Sequence, residues 1–285
     1  MFHEALVSIG GLRLNCMTGP HSGPPLLMLH GVLRRWQTFH PLWPQLVQRW
    51  RLRGLDLPGH GSSDRLTATY DVADYVRVTA DFVRQEFKEP LVIYGHSLGA
   101  MVAAGVASQL EGHIRAVVLE DPPLETMGSR IRQTPLHSYF SALKRFAGST
   151  KAIDQLAREL AGVTFTDPNS GITMRLGDQR DSAQLRFMAS CLRRLDPKVL
   201  DPIVECRWLQ GFDWRAVFGQ IACPTLLLQA DTNVAGMLTD EDAREVESLC
   251  PSITLVKLRG CGHNMHWTRT QEVANLTCAF LESLA

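Results

Sequence analysis

The chain has 285 residues, with 29 Lys plus Arg against 29 Asp plus Glu; that is enough for a sizeable core in one large domain or two modest ones. With no net charge to hold a polyphosphate backbone or an anionic lipid surface, nucleic acid and membranes are excluded as main partners, and a small or apolar molecule is favoured. No apolar run reaches the roughly 18 residues of a membrane span, the start MFHEALVSIGG carries no basic stretch ahead of an apolar one, and the seven cysteines are widely spaced with no C-x-x-C pair, which predicts a cytoplasmic protein with reduced, mostly buried thiols.

In chain order, Ala5–Ile9 and Leu12–Cys16 flank Gly10-Gly11 and predict an antiparallel hairpin at a sheet edge. Short apolar runs follow at Pro25–Leu29, Arg51–Asp56, Leu91–Tyr94, Ile114–Glu120, Thr225–Gln229 and Ile253–Leu258. Runs that are continuous rather than alternating suit parallel strands buried on both faces. Helical periodicity lies between them, at Asp71–Phe87, Leu98–Leu110, Asp240–Leu249 and Gln271–Leu284. The alternation predicts an α/β domain with right-handed crossovers.

From Pro122 to Phe212 no strand is predicted, but helices are, at Leu136–Phe146, Ala152–Leu160, Ser182–Leu195 and Pro197–Trp208. The expected organisation is a core of residues 1–121 and 213–285 with a helical cap over 122–212. The insertion carries 13 Lys plus Arg against nine Asp plus Glu, read as a solvated helical surface.

The chemistry centres on Gly95-His96-Ser97-Leu98-Gly99, a G-x-S-x-G between a strand run and a helix run. A strained turn there needs glycines beside the serine and holds the Ser97 hydroxyl clear of the sheet edge. A serine hydroxyl is a weak nucleophile until a base takes its proton. His263, in Gly260-Cys261-Gly262-His263 beyond the last strand, falls at the same carboxyl edge as Ser97, and His266 reads as a packing or hydrogen-bonding neighbour beside Trp267. His30-Gly31-Val32 closes the third strand; the N–H groups of Val32 and Leu98 are predicted to form an oxyanion hole, with His30 structural. Val32-Leu33-Arg34-Arg35-Trp36, after the oxyanion strand, reads either as a lining of the pocket mouth or as a solvated basic pair beside a packed tryptophan, and Trp208, Phe212 and Trp214 as a cavity wall or a seam between insertion and core.

His30-Gly31, then Asp56-Leu57-Pro58-Gly59-His60-Gly61-Ser62-Ser63, then Gly95 to Gly99, then Gly262-His263 follow one another in an order and spacing that resemble the α/β-hydrolases with a helical cap. The resemblance covers nearly the whole chain. It implies an eight-stranded, mostly parallel sheet flanked by helices, with the cap inserted after strand 6, and it makes Asp56 and its turn loop architecture.

At the acid of the triad the sequence departs from the family pattern. The usual position, beyond the seventh strand, holds Asn233, and an amide orients imidazole without stabilising imidazolium by charge. Some cap-bearing relatives place the acid after the sixth strand, which here is Asp121. Its neighbour Glu120 is expected on the opposite face because strand side chains alternate. Asp121 is preferred, with Glu120 and Asp231 as alternatives.

The expected protein is a cofactor-independent serine hydrolase, monomer or homodimer, that cleaves an ester or lactone of a small to medium hydrophobic substrate through Ser97, His263 and Asp121. The alternatives are carbon-carbon bond hydrolysis of a diketone-like substrate, and a non-hydrolytic ligand-binding or oxygenase role. The histidines and cysteines lack close ligand spacings, so no metal site is expected.

Overall fold

The computed structural model describes residues 2–20 and 23–284. Positive φ at Gly10 and Gly11, +54° and +87°, folds β1 (His3–Ile9) back onto β2 (Leu12–Thr18) with Ile9 opposite Leu12. The sheet continues through β3 (Pro25–Leu29), β4 (Arg51–Leu55), β5 (Leu91–His96) and β6 (Ile114–Glu120). It is completed by two strands late in the chain, β9 (Thr225–Ala230) and β10 (Ile253–Leu258), after a small hairpin, β7 (Thr164–Thr166) and β8 (Thr173–Arg175). The order in the eight-stranded sheet is β1-β2-β4-β3-β5-β6-β9-β10, and only β2 runs against its neighbours. β10, at the edge, is only partly buried, with Thr254 and Lys257 exposed.

Alternate side chains divide the core into two layers. Leu27, Leu29, Ile93, Val117 and Leu119 pack with α1 (Val72–Glu86) and α2 (Leu98–Gln109). Met28, Tyr94, Val118 and Leu228 pack with Trp36, Phe39 and the C-terminal helix, Thr270–Glu282. Helix α2 is apolar around its circumference and buried along nearly its whole length, as expected of a helix in the core interior.

Between β6 and β9 lie α3 (Pro135–Lys144), α4 (Ile153–Ala161), α5 (Ser182–Leu192) and α6 (Trp214–Gly219). Two details differ from expectation. The β7–β8 hairpin stands where no strand was predicted; its three-residue strands carry one buried anchor, Phe165, whose ring meets Tyr139 at 5.2 Å. Pro197–Trp208 is not one helix but a 3-10 turn, Pro197–Leu200, and a single helical turn, Asp201–Val204. Pro202 cannot donate into a continuing helix, and Cys206 turns left-handed at φ +60°. Trp208 and Trp214 are buried at the seam: the Trp208 carbonyl accepts from Val72 N–H (3.1 Å), and Trp214 Nε1 donates to Glu125 (2.9 Å). The seven cysteines are free thiols. Among the described residues no helix is long and apolar enough to cross a membrane.

Candidate active site

Ser97 links β5 to α2 at φ 56° and ψ −117°, a conformation costly for any residue with a side chain. Its flanking glycines are steric necessities. A Cβ on Gly95 would stand 2.2 Å from the Gly99 carbonyl oxygen, and one on Gly99 would stand 1.9 Å from the Leu29 carbonyl oxygen. The turn is pinned to β6 by Ser97 N–H donating to the Glu120 carbonyl (2.9 Å). The serine side chain borders a cavity of about 400 Å³.

The loop after β3 comes close to the serine, since a Cβ on Gly31 would lie 3.0 Å from Ser97 Cβ. His30 fixes that loop: Nδ1 donates to the Gly31 carbonyl (2.8 Å) and Nε2 accepts from Leu57 N–H (3.0 Å). Burial pushes the His30 imidazole down to about 4, keeping it neutral for both bonds. Val32 borders the cavity, and Leu98 opens α2. Among the described residues neither the Val32 nor the Leu98 N–H is taken by another group, and the helix N-terminus adds positive potential at Leu98.

His263 borders the same cavity, on the loop that leaves β10. Its Nδ1 lies 2.7 Å from Oδ2 of Asp121, which is fully buried. Asp121 follows β6 at φ +45°, so the strand ends at Glu120 and the carboxylate turns toward the loop after β9. Three backbone N–H groups hold it there: Ala230 (3.2 Å) and Leu238 (3.1 Å) donate to Oδ1, and Met237 (2.8 Å) donates to Oδ2. A buried carboxylate with four hydrogen-bond donors is satisfied and fixed in orientation. With Nδ1 of His263 committed to Asp121, its Nε2 has no hydrogen-bond partner among the described residues. His96 steadies the loop, its Nε2 donating to the His263 carbonyl (3.0 Å), while burial holds that imidazole far below its usual value and neutral.

The other candidate acids lie elsewhere. Glu120 is fully buried and accepts from Tyr94 Oη (2.6 Å), His266 N–H (3.0 Å) and His266 Nδ1 (2.8 Å). Burial alone would raise its carboxyl, but the charge and hydrogen bonds of His266, with the hydrogen bond from Tyr94, bring it down to about 2. His266 Nε2 in turn meets Thr38 Oγ1 at 3.0 Å. Asp231 ties two loops together, accepting from Gly260 N–H (2.8 Å) and from the backbone and amide of Asn233 (3.0 Å each). Asn233 is exposed and turned to Asp231.

Ligand atoms of His96, Glu120 and His266 come within 4.8 Å of one another, a grouping not visible in their spacing along the chain. The hydrogen bonds already made by Glu120 and His266, and the depth of all three, give the cluster the character of a core brace.

The insertion supplies much of the cavity wall, with Tyr139, Phe140, Phe165 and Met174 among its lining. Two lining residues are arginines: Arg34, for which the sequence leaves open a place at the pocket mouth or in a solvated pair, and Arg180, which the sequence counts among the surface charges of the insertion. Trp208, Phe212 and Trp214 do not border the cavity.

A family model described as the alpha/beta hydrolase fold matches residues 24–270. The chain is 34% identical over 127 residues to a 2-(acetamidomethylene)succinate hydrolase of Mesorhizobium japonicum, a match spanning 44% of this chain and 45% of that relative's length. It is 28% identical over 251 residues to a pimeloyl-[acyl-carrier protein] methyl ester esterase of Nitrosomonas europaea, spanning 85% and 89%. The crystal structure of an E-2-(acetamidomethylene)succinate hydrolase superposes with a TM-score of 0.76 at 21% identity, over 99% of this chain and 100% of that one.

Proposed function

Because the chain belongs to the alpha/beta hydrolase fold family, we propose that it is a serine hydrolase that opens a carboxylic ester or lactone through an acyl-enzyme, with the insertion as its cap. The observation that carries this reading is the buried Asp121 carboxylate 2.7 Å from Nδ1 of His263, on the same cavity as the strained Ser97. The esterase and succinate hydrolase among its relatives are in keeping with it.

In the proposed cycle Nε2 of His263 takes the Ser97 hydroxyl proton as Oγ bonds to the substrate carbonyl carbon. The carbonyl oxygen becomes an oxyanion held by the N–H groups of Val32 and Leu98. Asp121 stabilises the imidazolium without accepting its proton. The tetrahedral species expels the alcohol oxygen, which leaves with the proton from His263. Water then repeats the sequence on the acyl-enzyme, releasing the acid and restoring Ser97. No step draws on a metal or cofactor. A cavity of about 400 Å³ suits a substrate of small to medium size.

Ser97→Ala tests the reading. Turnover of p-nitrophenyl esters is expected to fall by at least ~10³-fold, and labelling by a fluorophosphonate to vanish. Retained turnover in the folded variant would overturn it.

A further inference from the structure

Building on that serine-hydrolase reading, we infer that the substrate carries an anionic oxygen group, a carboxylate or phosphate remote from the scissile carbonyl, which Arg34 and Arg180 hold inside the cavity. The chain as a whole is neutral, but this cavity is not. Its lining includes both arginines and no aspartate or glutamate.

The two side chains arrive from different parts of the fold. Arg34 lies on the core loop after β3, two residues beyond Val32, and Arg180 follows the helical turn Leu176–Gln179 in the insertion. Among the described residues neither meets a carboxylate; Arg132, Arg145, Arg158, Arg193 and Arg194 of the insertion meet none either, but those five do not line this cavity. Arg34 is placed over the Trp267 ring, 5.4 Å from its centroid, and Arg180 donates to the Gln179 carbonyl (3.1 Å). These contacts position the guanidinium groups without neutralising them.

Their mutual effect points the same way. Burial depresses the Arg34 guanidinium, and the like charge of Arg180 adds to that depression. Burial raises the Tyr139 hydroxyl, while both arginines pull it back. Two cations near one tyrosine in a partly desolvated cavity are costly unless an anion joins them. The flat donor fork of arginine suits carboxylate or phosphate oxygens. An anion bound between a core residue and an insertion residue would also fix the substrate relative to Ser97, so that charge recognition becomes orientation of the scissile carbonyl.

The test compares p-nitrophenyl hexanoate with mono-p-nitrophenyl adipate, alike in chain length but differing by a terminal carboxylate. The wild-type protein is expected to favour the adipate ester in kcat/KM by about tenfold or more, and Arg180→Gln or Arg34→Gln to lower that ratio by a similar factor. Both substrates are read on one preparation, so a partly folded variant leaves the ratio interpretable. A ratio near one in the wild type, or unchanged in both variants, overturns the inference.

A second arm titrates Ser97→Ala calorimetrically with adipate and with inorganic phosphate. Adipate binding that Arg180→Gln abolishes supports a carboxylate substrate, the same behaviour of phosphate supports a phosphate-bearing one, and binding of neither overturns the site. The serine-hydrolase reading fails separately, by turnover that survives Ser97→Ala, and the calorimetric arm does not depend on it.

Discussion

Glu120 and Asp121 are consecutive, and each meets a histidine; those histidines, His266 and His263, are three residues apart. The pairs nevertheless occupy different environments. Glu120 and His266 are both fully buried, and their bonds to Tyr94 and Thr38 join β5, the segment after β3 and the C-terminal region. In the other pair Asp121 is buried but His263 keeps 12% of its side chain open, on the side of the cavity. An acid and an imidazole at hydrogen-bond distance are therefore not a catalytic pair by themselves. What separates the two is the backbone: β6 ends at Glu120, and the positive φ of Asp121 sends the second carboxylate toward the loop after β9.

Exchanging each acid for its amide breaks the comparison most directly. Asp121→Asn is expected to lower kcat for ester hydrolysis by about 10⁴, as the same change does in the serine-protease template. Glu120→Gln is expected to leave kcat within about tenfold but to cost ~3–5 kcal/mol of stability, because it removes one charge of a buried pair. Urea midpoints measured on both proteins keep a folding defect apart from a catalytic one. The reverse pattern, a folded Glu120→Gln without turnover beside an active Asp121→Asn, would exchange the two roles.

Much of this arrangement is legible in the sequence, for reasons that are local. Glycines at 95 and 99 are demanded by carbonyl oxygens about 2 Å from where a Cβ would sit, so the motif around Ser97 records a steric fact. The apolar runs of β3 to β6 and β9 record burial on both faces. Other features depend on what lies far along the chain. Strand alternation separates Glu120 from Asp121 in principle, but the left-handed turn that aims Asp121 leaves no mark on an aspartate. The β7–β8 hairpin is held by partners outside itself, Phe165 against Tyr139 and Thr166 bonded to Ser138 Oγ. Arg180 looks like a solvated charge, and Arg34 is open between a solvated pair and the pocket mouth, until the insertion is laid over the core and both come to border one cavity.

Acid unfolding sharpens the contrast, because buried histidines without a carboxylate respond over another range of pH. Burial lowers His30 to about 4, and burial together with the nearby His30 lowers His60 to about 3, from a usual value of 6.5. The unfolded chain takes up these protons at about 6.5 and the native state only far below, so stability falls as pH drops from about 6.5 through 4. At pH 5 the loss is about 2 kcal/mol for each histidine, at 1.4 kcal/mol per pH unit. Glu120 behaves otherwise: its carboxyl is held at about 2 instead of 4.5, so its contribution is present above about 4.5 and is lost toward 2. Between pH 7 and pH 5 Glu120 therefore contributes little to the change in urea midpoint, and His60→Gln is expected to remove about half of the part that His30 and His60 supply. A midpoint unchanged between the two would show that these imidazoles are already protonated or accessible in the native protein.

The smallest effect is expected where the family pattern leads one to look for the acid. Asn233 is exposed, and its amide donates to Asp231 at 3.0 Å instead of facing His263. Asn233→Asp would set two carboxylates against each other on that loop while leaving the bond between Asp121 and His263 untouched, so kcat is expected to change by less than about twofold. The sharper measurement places Asn233→Asp in the Asp121→Asn background. Three backbone N–H groups converge on the Asp121 carboxylate, and position 233 has no equivalent cradle from which a carboxylate reaches Nδ1 of His263. The double variant should therefore stay as inactive as Asp121→Asn alone; recovery of tenfold or more would mean that the loop after β9 can deliver an acid to His263, and that the turn at Asp121 is not what distinguishes the two pairs.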